Sequence, residues 1–225
     1  MPASQSRDRR GQVFVNPPTG ERVVVLTDPD VHPQRVLVGH LYVEPGGRVA
    51  LAHSHPTLTE RFHVLAGRVG FLIGGERREL GPGEQAEVPP GTVHDWWQVG
   101  DETAEVVVEV APGDRFVEMV GSMFGLARDG KCDAKGRPRP LQLAVSARAY
   151  RDVLVVASPP PAVQALVFGP LAAIGRARGL QPSYERYLSS DEVVEPDPRA
   201  LALLGEDGRL RPAPASPSDP EPEPA

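Results

Sequence analysis

Short runs of β-branched and aromatic residues, separated by turns rich in proline and glycine, fill the first half of the chain. Runs of this kind, about ten residues apart, are typical of a β-sandwich or barrel. We expect strands at residues 12–15, 22–26, 35–44, 48–54, 60–66, 68–74, 84–88, 93–98 and 104–111. The pattern therefore predicts a mainly β unit over residues 12–112.

The hydrophobic period changes after Pro112, where apolar residues begin to recur at helical spacing. One helix is predicted to begin there, and two more over residues 141–157 and 162–178. We expect the helices, within residues 113–190, to form an α-helical appendage that braces an outer face of the barrel or acts as a lid. A separate substrate-binding module or a dimer surface is the alternative.

Both ends of the chain are polar. Residues 1–11 contain no apolar segment and are expected to be flexible, and residues 191–225 are rich in proline and glutamate and are expected to be mostly disordered. The N-terminus lacks the apolar core of a signal peptide, and no stretch approaches the length of a membrane span. The chain is therefore predicted to be cytoplasmic, with no membrane partner.

Composition narrows the classes of partner. The chain has 24 basic and 30 acidic residues, a formal net charge of −6, so it offers no basic surface for nucleic acid. Cys132 is the single cysteine, which excludes an internal disulfide and a thiolate metal cluster. The expected partner is a small-molecule ligand or substrate.

Three histidines and one glutamate form the candidate site: His53, His55, Glu60 and His94. His53 and His55 are two residues apart, so on a strand both imidazoles point to one face. The segment 56–59 contains proline and threonine, which suit a turn that brings Glu60 back beside them. Neutral imidazoles and one carboxylate bind a divalent ion and leave coordination positions open, as in reactive metal sites.

The glycines and prolines around these residues resemble the two signature motifs of the cupin superfamily. The first block contains Gly47, His53, His55, Glu60 and Gly67, and the second contains Gly83, Pro89, Gly91 and His94. Gln98 departs from the family pattern, which usually has asparagine there. In a cupin that asparagine lies at a strand end and is not a ligand, so the departure concerns loop geometry and not the metal site.

The resemblance covers about residues 12–112 and implies a double-stranded β-helix, the cupin jelly-roll barrel, followed here by the helical appendage. It also implies a single divalent metal ion, with iron or manganese favoured and nickel, copper or zinc as alternatives. The implied ligands are His53, His55, Glu60 and His94. Cupins often pair through sheet edges, which makes a homodimer one of the expected assemblies.

Strand parity nominates the walls of the substrate pocket. Residues two positions from a ligand share its face, which selects Leu51, Phe62 and Trp96. For Leu51 and Phe62 a place in the barrel core is the stronger interpretation, whereas Trp96 is expected to contact a ligand. His63 has the opposite parity to Glu60 and is expected on the outer face. The sequence shows no further acid or base inside the barrel.

Three functions from different classes remain open. The favoured one is a dioxygenase-like oxidoreductase, since cupins with a similar set of ligands include dioxygenases that act on flavonols and other small organic substrates. The second is a non-redox isomerase, cyclase or lyase that uses the metal as a Lewis acid and needs an inward proton carrier. The third is a non-catalytic small-molecule-binding cupin.

Overall fold

Two antiparallel β-sheets pack face to face in the computed structural model, which describes residues 8–212. One sheet has the strand order β1-β2-β3-β10-β5-β8 and the other β11-β4-β9-β6-β7. The strands are β1 (Val13–Asn16), β2 (Glu21–Thr27), β3 (Leu37–Val43), β4 (His53–Ser54), β5 (Thr59–Ala66), β6 (Arg68–Ile73), β7 (Glu76–Leu80), β8 (Gln85–Val88), β9 (His94–Val99), β10 (Ala104–Ala111) and β11 (Val155–Val156). The α-helices are α1 (Asp114–Arg128), α2 (Pro140–Ala149), α3 (Pro161–Ala177) and α4 (Pro198–Leu201).

Alternation along β5 shows how the sequence builds the core. Glu60, Phe62 and Val64 are buried, whereas the residues between them are partly exposed. The Phe62 ring meets Phe71 of the opposite sheet edge to face, with the ring centroids 5.1 Å apart. Side chains from both sheets therefore fill one core, as expected for a mainly β fold of two sheets.

Within residues 12–112 the predicted strands agree with the observed ones except at two places. β7, with the sequence Glu-Arg-Arg-Glu-Leu, is absent from the predicted strands, and its sequence lacks an alternating apolar face. It is an exposed edge strand, and charged residues on such edges discourage pairing with other chains. The run at 48–54 contains only the two-residue strand β4, because the backbone around Ala50 leaves the sheet.

Helix α1 packs on the inner side of the barrel. Its residues Phe116, Val120 and Met123 meet Leu37 and Val108, which point into the space between the sheets. A brace on an outer face, one of the two roles expected of the appendage, is therefore wrong for this helix. The amphipathic pattern predicts that a helix buries its apolar stripe but does not say which face of the barrel receives it.

The second predicted helix is shorter than expected. α2 ends at Ala149, and Val155 and Val156 then form β11, which pairs with His53 and Ser54 of β4. β-branched residues favour strands when an edge is available, and that edge lies far away in the sequence. The helical extension thus adds a strand to the sheet that carries the candidate site.

The ends of the described chain are more ordered than predicted. Arg9 is buried in an ion pair with Asp28, at 2.7 Å between Nη1 and Oδ1, although residues 1–11 were expected to be flexible. Residues 191–212, assigned to a mostly disordered tail, place Ala200 and Leu210 in a core cluster on the outer face of the larger sheet. The segment 191–225 is rich in proline overall, and this composition gave no indication that single apolar residues within it would be buried. Residues 1–7 and 213–225 lie outside the described residues.

Glu109 on β10 ties this C-terminal segment to the barrel. Its side chain is almost fully buried and accepts hydrogen bonds from Arg61, from Arg209 at 2.7 Å and from the Leu210 backbone N–H at 2.7 Å. Burial alone would raise the pKa of Glu109, but the bonds from Arg209 and Arg61 outweigh it and hold the pKa below its usual range. No helix within residues 8–212 is long and apolar enough to cross a membrane.

We predict that Glu109→Gln lowers the free energy of unfolding by about 2 kcal/mol at pH 7, because two arginines lose their buried anionic partner. A carboxylate with a depressed pKa stabilises the fold above its ordinary pKa, and this stabilisation is lost as the pH falls through the lower folded-state value. The difference between the variant and the wild type should therefore shrink below about pH 4.

Denaturant unfolding at pH 7 and at pH 3.5 measures this difference. Glu76→Gln is the matched control, because Glu76 pairs with Arg78 on the exposed strand β7. That control should change stability by less than about 0.5 kcal/mol. A Glu109→Gln effect no larger than the control would contradict the anchoring role of Glu109.

Candidate metal centre

Both sheets contribute to one cluster of three histidines and a glutamate. His53 on β4 pairs directly with His94 at the start of β9, which places their imidazoles side by side. His55 follows β4, and Glu60 lies on β5 of the opposite sheet. The structure therefore brings together His53, His55, Glu60 and His94, and all four side chains are buried.

The ligand atoms of this cluster have the separations of a metal coordination sphere. Nε2 of His53 lies 3.1 Å from Nε2 of His55, and Oε2 of Glu60 lies 3.3 Å from Nε2 of His55 and 2.9 Å from Nε2 of His94. Ligands about 2.1 Å from an ion and at right angles are about 3 Å apart. The four atoms all lie within 4.8 Å of one another.

Backbone carbonyl groups fix the orientation of all three imidazoles. The Nδ1 atoms contact carbonyl oxygens of Leu51 at 2.8 Å for His53, of Val153 at 2.6 Å for His55 and of Thr92 at 3.2 Å for His94. A carbonyl only accepts hydrogen bonds, so each Nδ1 carries the proton and donates it. In the neutral ring each Nε2 then presents a lone pair to the centre of the cluster, as in histidine metal ligands.

Two atoms of the cluster are buried without a hydrogen-bond partner, namely Glu60 Oε2 and His94 Nε2. They are 2.9 Å apart, yet their geometry is not that of a hydrogen bond. Burying such polar atoms unpaired is costly, and several facing lone pairs repel one another. A divalent cation among them satisfies both requirements, so the residues present fit a metal ion.

The electrostatics of the cluster also favour a cation. Burial and the neighbouring His94 lower the pKa of His53 to about 4, so this ring is neutral at physiological pH. Burial would lower the pKa of His55, but Glu60 more than offsets this and raises it. Burial would raise the pKa of Glu60, but His55 and His94 hold it well below its usual range. Glu60 is therefore a carboxylate, as a ligand must be.

Val153 is a contributor that the sequence did not reveal. It lies 98 residues from His55 and belongs to the segment between α2 and β11, whose strand pairing carries its carbonyl oxygen to the His55 ring. Phe116 of α1 also meets the His55 ring edge to face, at 5.6 Å between centroids. No local motif signals either contact, because both depend on where the extension folds back.

An apolar cavity of about 170 Å³ adjoins the cluster, and His53 and Glu60 form part of its wall. Phe62 and Trp96 line it, in the positions that strand parity predicted. Leu51 does not line the cavity; it is half-buried and orients His53 through its carbonyl oxygen. Parity failed for Leu51 because that residue lies outside β4, where the alternation of a strand does not apply.

Two other predicted positions are now placed. His63 lies on the opposite face of β5 from Glu60, where its Nδ1 is 2.7 Å from Nε2 of Gln85. Gln98 accepts a hydrogen bond from the Gly46 backbone N–H at 2.9 Å and donates to the carbonyl oxygens of Gly100 and Glu102. Gln98, which stands where the family pattern has asparagine, thus holds two loops together through its amide group and lies apart from the metal cluster.

One ionisable residue of the cavity wall was missed. Glu21 on β2 lines the cavity together with Val23 and Val25, the residues two and four positions further along the strand. This shared parity was the available signal. Burial raises the pKa of Glu21 to about 7, although hydrogen bonds from Thr19 and Asn16 oppose the rise.

Comparison with known proteins identifies the family of the central part of the chain. Residues 39–114 match the family model described as a cupin domain. Residues 39–114 form a cupin domain. Both motif blocks, and with them the four candidate ligands, lie inside this domain.

Among known proteins, the cupin domain is similar to plant germin-like proteins. Germin-like protein 3-8 of Oryza sativa subsp. japonica is 42% identical over 124 residues, covering 48% of this chain and 55% of that protein. Germin-like protein subfamily T member 2 of Arabidopsis thaliana is 36% identical over 88 residues, covering 37% and 40%. The chain spans about half the length of the curated relatives it matches.

Solved structures show a more distant similarity. A sugar phosphate isomerase of the cupin superfamily from Silicibacter pomeroyi is 22% identical, with a TM-score of 0.38, over 48% of this chain and 67% of that one.

We predict that His53→Ala and His94→Ala each reduce bound metal from about one equivalent to less than a tenth, because each removes a ligand with a fixed lone pair. Elemental analysis of protein purified without chelators measures the metal. His63→Ala is the matched control, since that ring faces away from the cluster, and it should retain the wild-type content. Circular dichroism should show the same β-sheet signal in all variants. Full metal occupancy in both ligand variants would contradict the assignment.

Proposed function

We propose that this chain is a metal-dependent oxygenase of the dioxygenase-like type, acting on a small organic substrate at the three-His, one-Glu cluster. The observation that carries the proposal is the convergence of three imidazole rings and one carboxylate at the wall of an apolar cavity. Among the described residues of that wall, the ionisable ones are His53, Glu60 and Glu21. The wall therefore offers few side chains that could act as an acid, a base or a nucleophile, and a bound ion is the main reactive group.

In this proposal His53, His55, Glu60 and His94 hold one divalent ion. Three nitrogens and one oxygen leave coordination positions open in five- or six-fold geometry, and such an ion, when bound, supplies the redox chemistry. The donor set accepts iron, manganese, nickel, copper or zinc. We favour iron or manganese, because metal availability in cells and not the order of affinities decides which ion such a site holds.

The surrounding side chains would bind and orient the substrate. Phe62 and Trp96 present aromatic surface to the cavity, which suits the flat face of an enol or catechol-like molecule. The α1 residues Phe116 and Met119 cover the cavity and exclude water from it. Excluding water strengthens electrostatic interactions and protects reactive species.

Strand register argues against the non-redox alternative, an isomerase or cyclase. Such an enzyme needs an acid or base beside the reacting carbon. Glu60 aligns with Val110 on β10, whereas Glu21 aligns through Val43 with Ala104, which lies six residues before Val110 on that strand. At about 3.3 Å per residue the two rows are about 20 Å apart along the strand. Glu21 therefore does not serve the cluster directly. The third function, non-catalytic binding, is tested by the experiment below.

The wider organisation is part of the same proposal. We take residues 12–112 as the barrel unit and 113–190 as its extension, which supplies Val153 to the site and α1 to the cavity. A small-molecule ligand is the proposed partner. A cytoplasmic location and a homodimer stay predictions.

We predict that iron- or manganese-loaded protein consumes oxygen with enol or catechol substrates and that Glu60→Gln lowers this rate at least tenfold. The amide keeps the side-chain shape but removes the anionic ligand and weakens metal binding by about 10- to 100-fold or more. An oxygen electrode measures the rate, and elemental analysis measures the metal in the same samples. Glu76→Gln on the exposed strand β7 is the control and should match the wild type.

The outcomes separate the three functions. Oxygen consumption that depends on the metal and on Glu60 supports the oxygenase. Substrate conversion without oxygen uptake would establish the Lewis-acid enzyme instead. Tight binding of a small molecule with no turnover in the metal-loaded protein would leave the non-catalytic binder, and either result would overturn the proposal.

A further inference from the structure

The end of the cavity remote from the metal cluster carries a second polar site, formed by Asn16 and Glu21. These two residues face each other across the β1–β2 pairing and both line the cavity. Phe14 and Asn16 share one face of β1, as Glu21 and Val23 share one face of β2. We refer to Asn16 and Glu21 as the inner polar pair.

The hydrogen bonds of this pair leave acceptor atoms free. Asn16 Nδ2 donates to Glu21 Oε2 at 3.1 Å, and the Thr19 hydroxyl donates to the same oxygen. A carboxylate oxygen accepts hydrogen bonds, so the Asn16 atom that meets it is the amide nitrogen. Asn16 Oδ1 is left buried without a partner, in a residue only 5% exposed. Burial of an unpaired carbonyl costs free energy and marks a position for a donor.

The charge of the pair is also uncompensated. The structure gives Glu21 no ion pair within residues 8–212, and the described wall of the cavity contains no lysine or arginine. Burial raises the pKa of Glu21 to about 7 despite the hydrogen bonds from Thr19 and Asn16, which reflects the cost of holding a carboxylate there without a cationic partner. A cationic donor would satisfy both the carboxylate and the free Asn16 oxygen.

The rest of the cavity wall indicates the chemical nature of the remainder of the ligand. Between the inner polar pair and the metal cluster the wall is aliphatic and aromatic, as at Val23, Leu41 and Met123. The volume of about 170 Å³ is close to the roughly 150 Å³ of an apolar cavity that holds a benzene molecule. The ligand is therefore small, of benzene size or slightly larger.

We propose that the inner polar pair binds the ammonium group of an aliphatic primary amine, whose chain extends along the apolar cavity toward the metal cluster. The ammonium group donates to Asn16 Oδ1 and to the Glu21 carboxylate. This binding goes beyond the proposed function and does not depend on it, because neither Asn16 nor Glu21 is a candidate metal ligand. A carboxylate ligand would be repelled by Glu21, and an alcohol would leave the charge of Glu21 uncompensated.

Binding of octylamine, 1-octanol and octanoate to the full chain tests the proposal. The three probes share one chain and differ in the head group. Isothermal titration should show octylamine binding at least tenfold more tightly than 1-octanol, and octanoate more weakly than both. Glu21→Gln should reduce octylamine affinity at least tenfold and change 1-octanol affinity less than threefold. Glu76→Gln should change neither.

A second variant covers the case in which Glu21→Gln does not fold. Asn16→Ala removes the free acceptor and should reduce octylamine affinity at least threefold, with thermal unfolding as the check that the variant is folded. Octylamine affinity should also persist in wild-type protein from which metal has been removed by a chelator. Loss of metal or of oxygen consumption therefore contradicts the proposed function, whereas loss of head-group selectivity contradicts this inference alone.

Equal binding of octylamine and 1-octanol would overturn the inference. Octylamine binding that is unchanged in folded Glu21→Gln and Asn16→Ala would overturn it as well, because the amine would then lie elsewhere. Absence of binding by all three probes at millimolar concentration would show that the cavity does not admit the chain.

Discussion

The orientation of three imidazole rings by backbone carbonyls is the interaction on which the site depends. A neutral histidine has one proton, and a carbonyl that takes it on Nδ1 leaves the Nε2 lone pair free. Leu51, Thr92 and Val153 supply these carbonyls from three separate parts of the chain. The barrel provides two of them, and the extension provides the third. The metal centre is thus a product of the whole described chain and not of the signature motifs alone.

The extension has two roles, and the apolar pattern of its helices did not predict which part would perform each. Helix α1 covers the interior of the barrel and forms one wall of the cavity. The segment that follows α2 adds β11 beside β4 and brings Val153 to His55. The outer face of the larger sheet is instead covered by the C-terminal segment, through Leu210 and the bonds to Glu109. The cavity and the ligand geometry are therefore both coupled to sequence beyond the barrel.

Much of the fold and the ligand cluster could be predicted from the sequence, because both follow from local periodicity. Strand alternation placed Phe62 and Trp96 on the cavity wall, and the spacing of His53, His55, Glu60 and His94 indicated a cluster that the structure does bring together. Contacts made at long range could not be predicted. The carbonyl of Val153 and the anchoring by Leu210 depend on which surfaces meet after folding. The strand β7 forms a local hairpin with β6, and it was missed because its exposed charged residues show no apolar alternation. Glu21 has the same parity as Val23 and Val25, which would have placed it on the cavity wall. It was missed because the predicted strand begins one residue later, at Arg22.

The central claim is that the Nε2 atoms of three histidines and the carboxylate of Glu60 hold one metal ion. X-ray absorption spectroscopy of the metal-loaded protein tests it most directly. The account predicts three imidazole nitrogens and one carboxylate oxygen at about 2.1 Å, with the multiple-scattering signature of histidine rings bound through Nε2. A spectrum with sulfur ligands, or with only solvent oxygens around the ion, would contradict it.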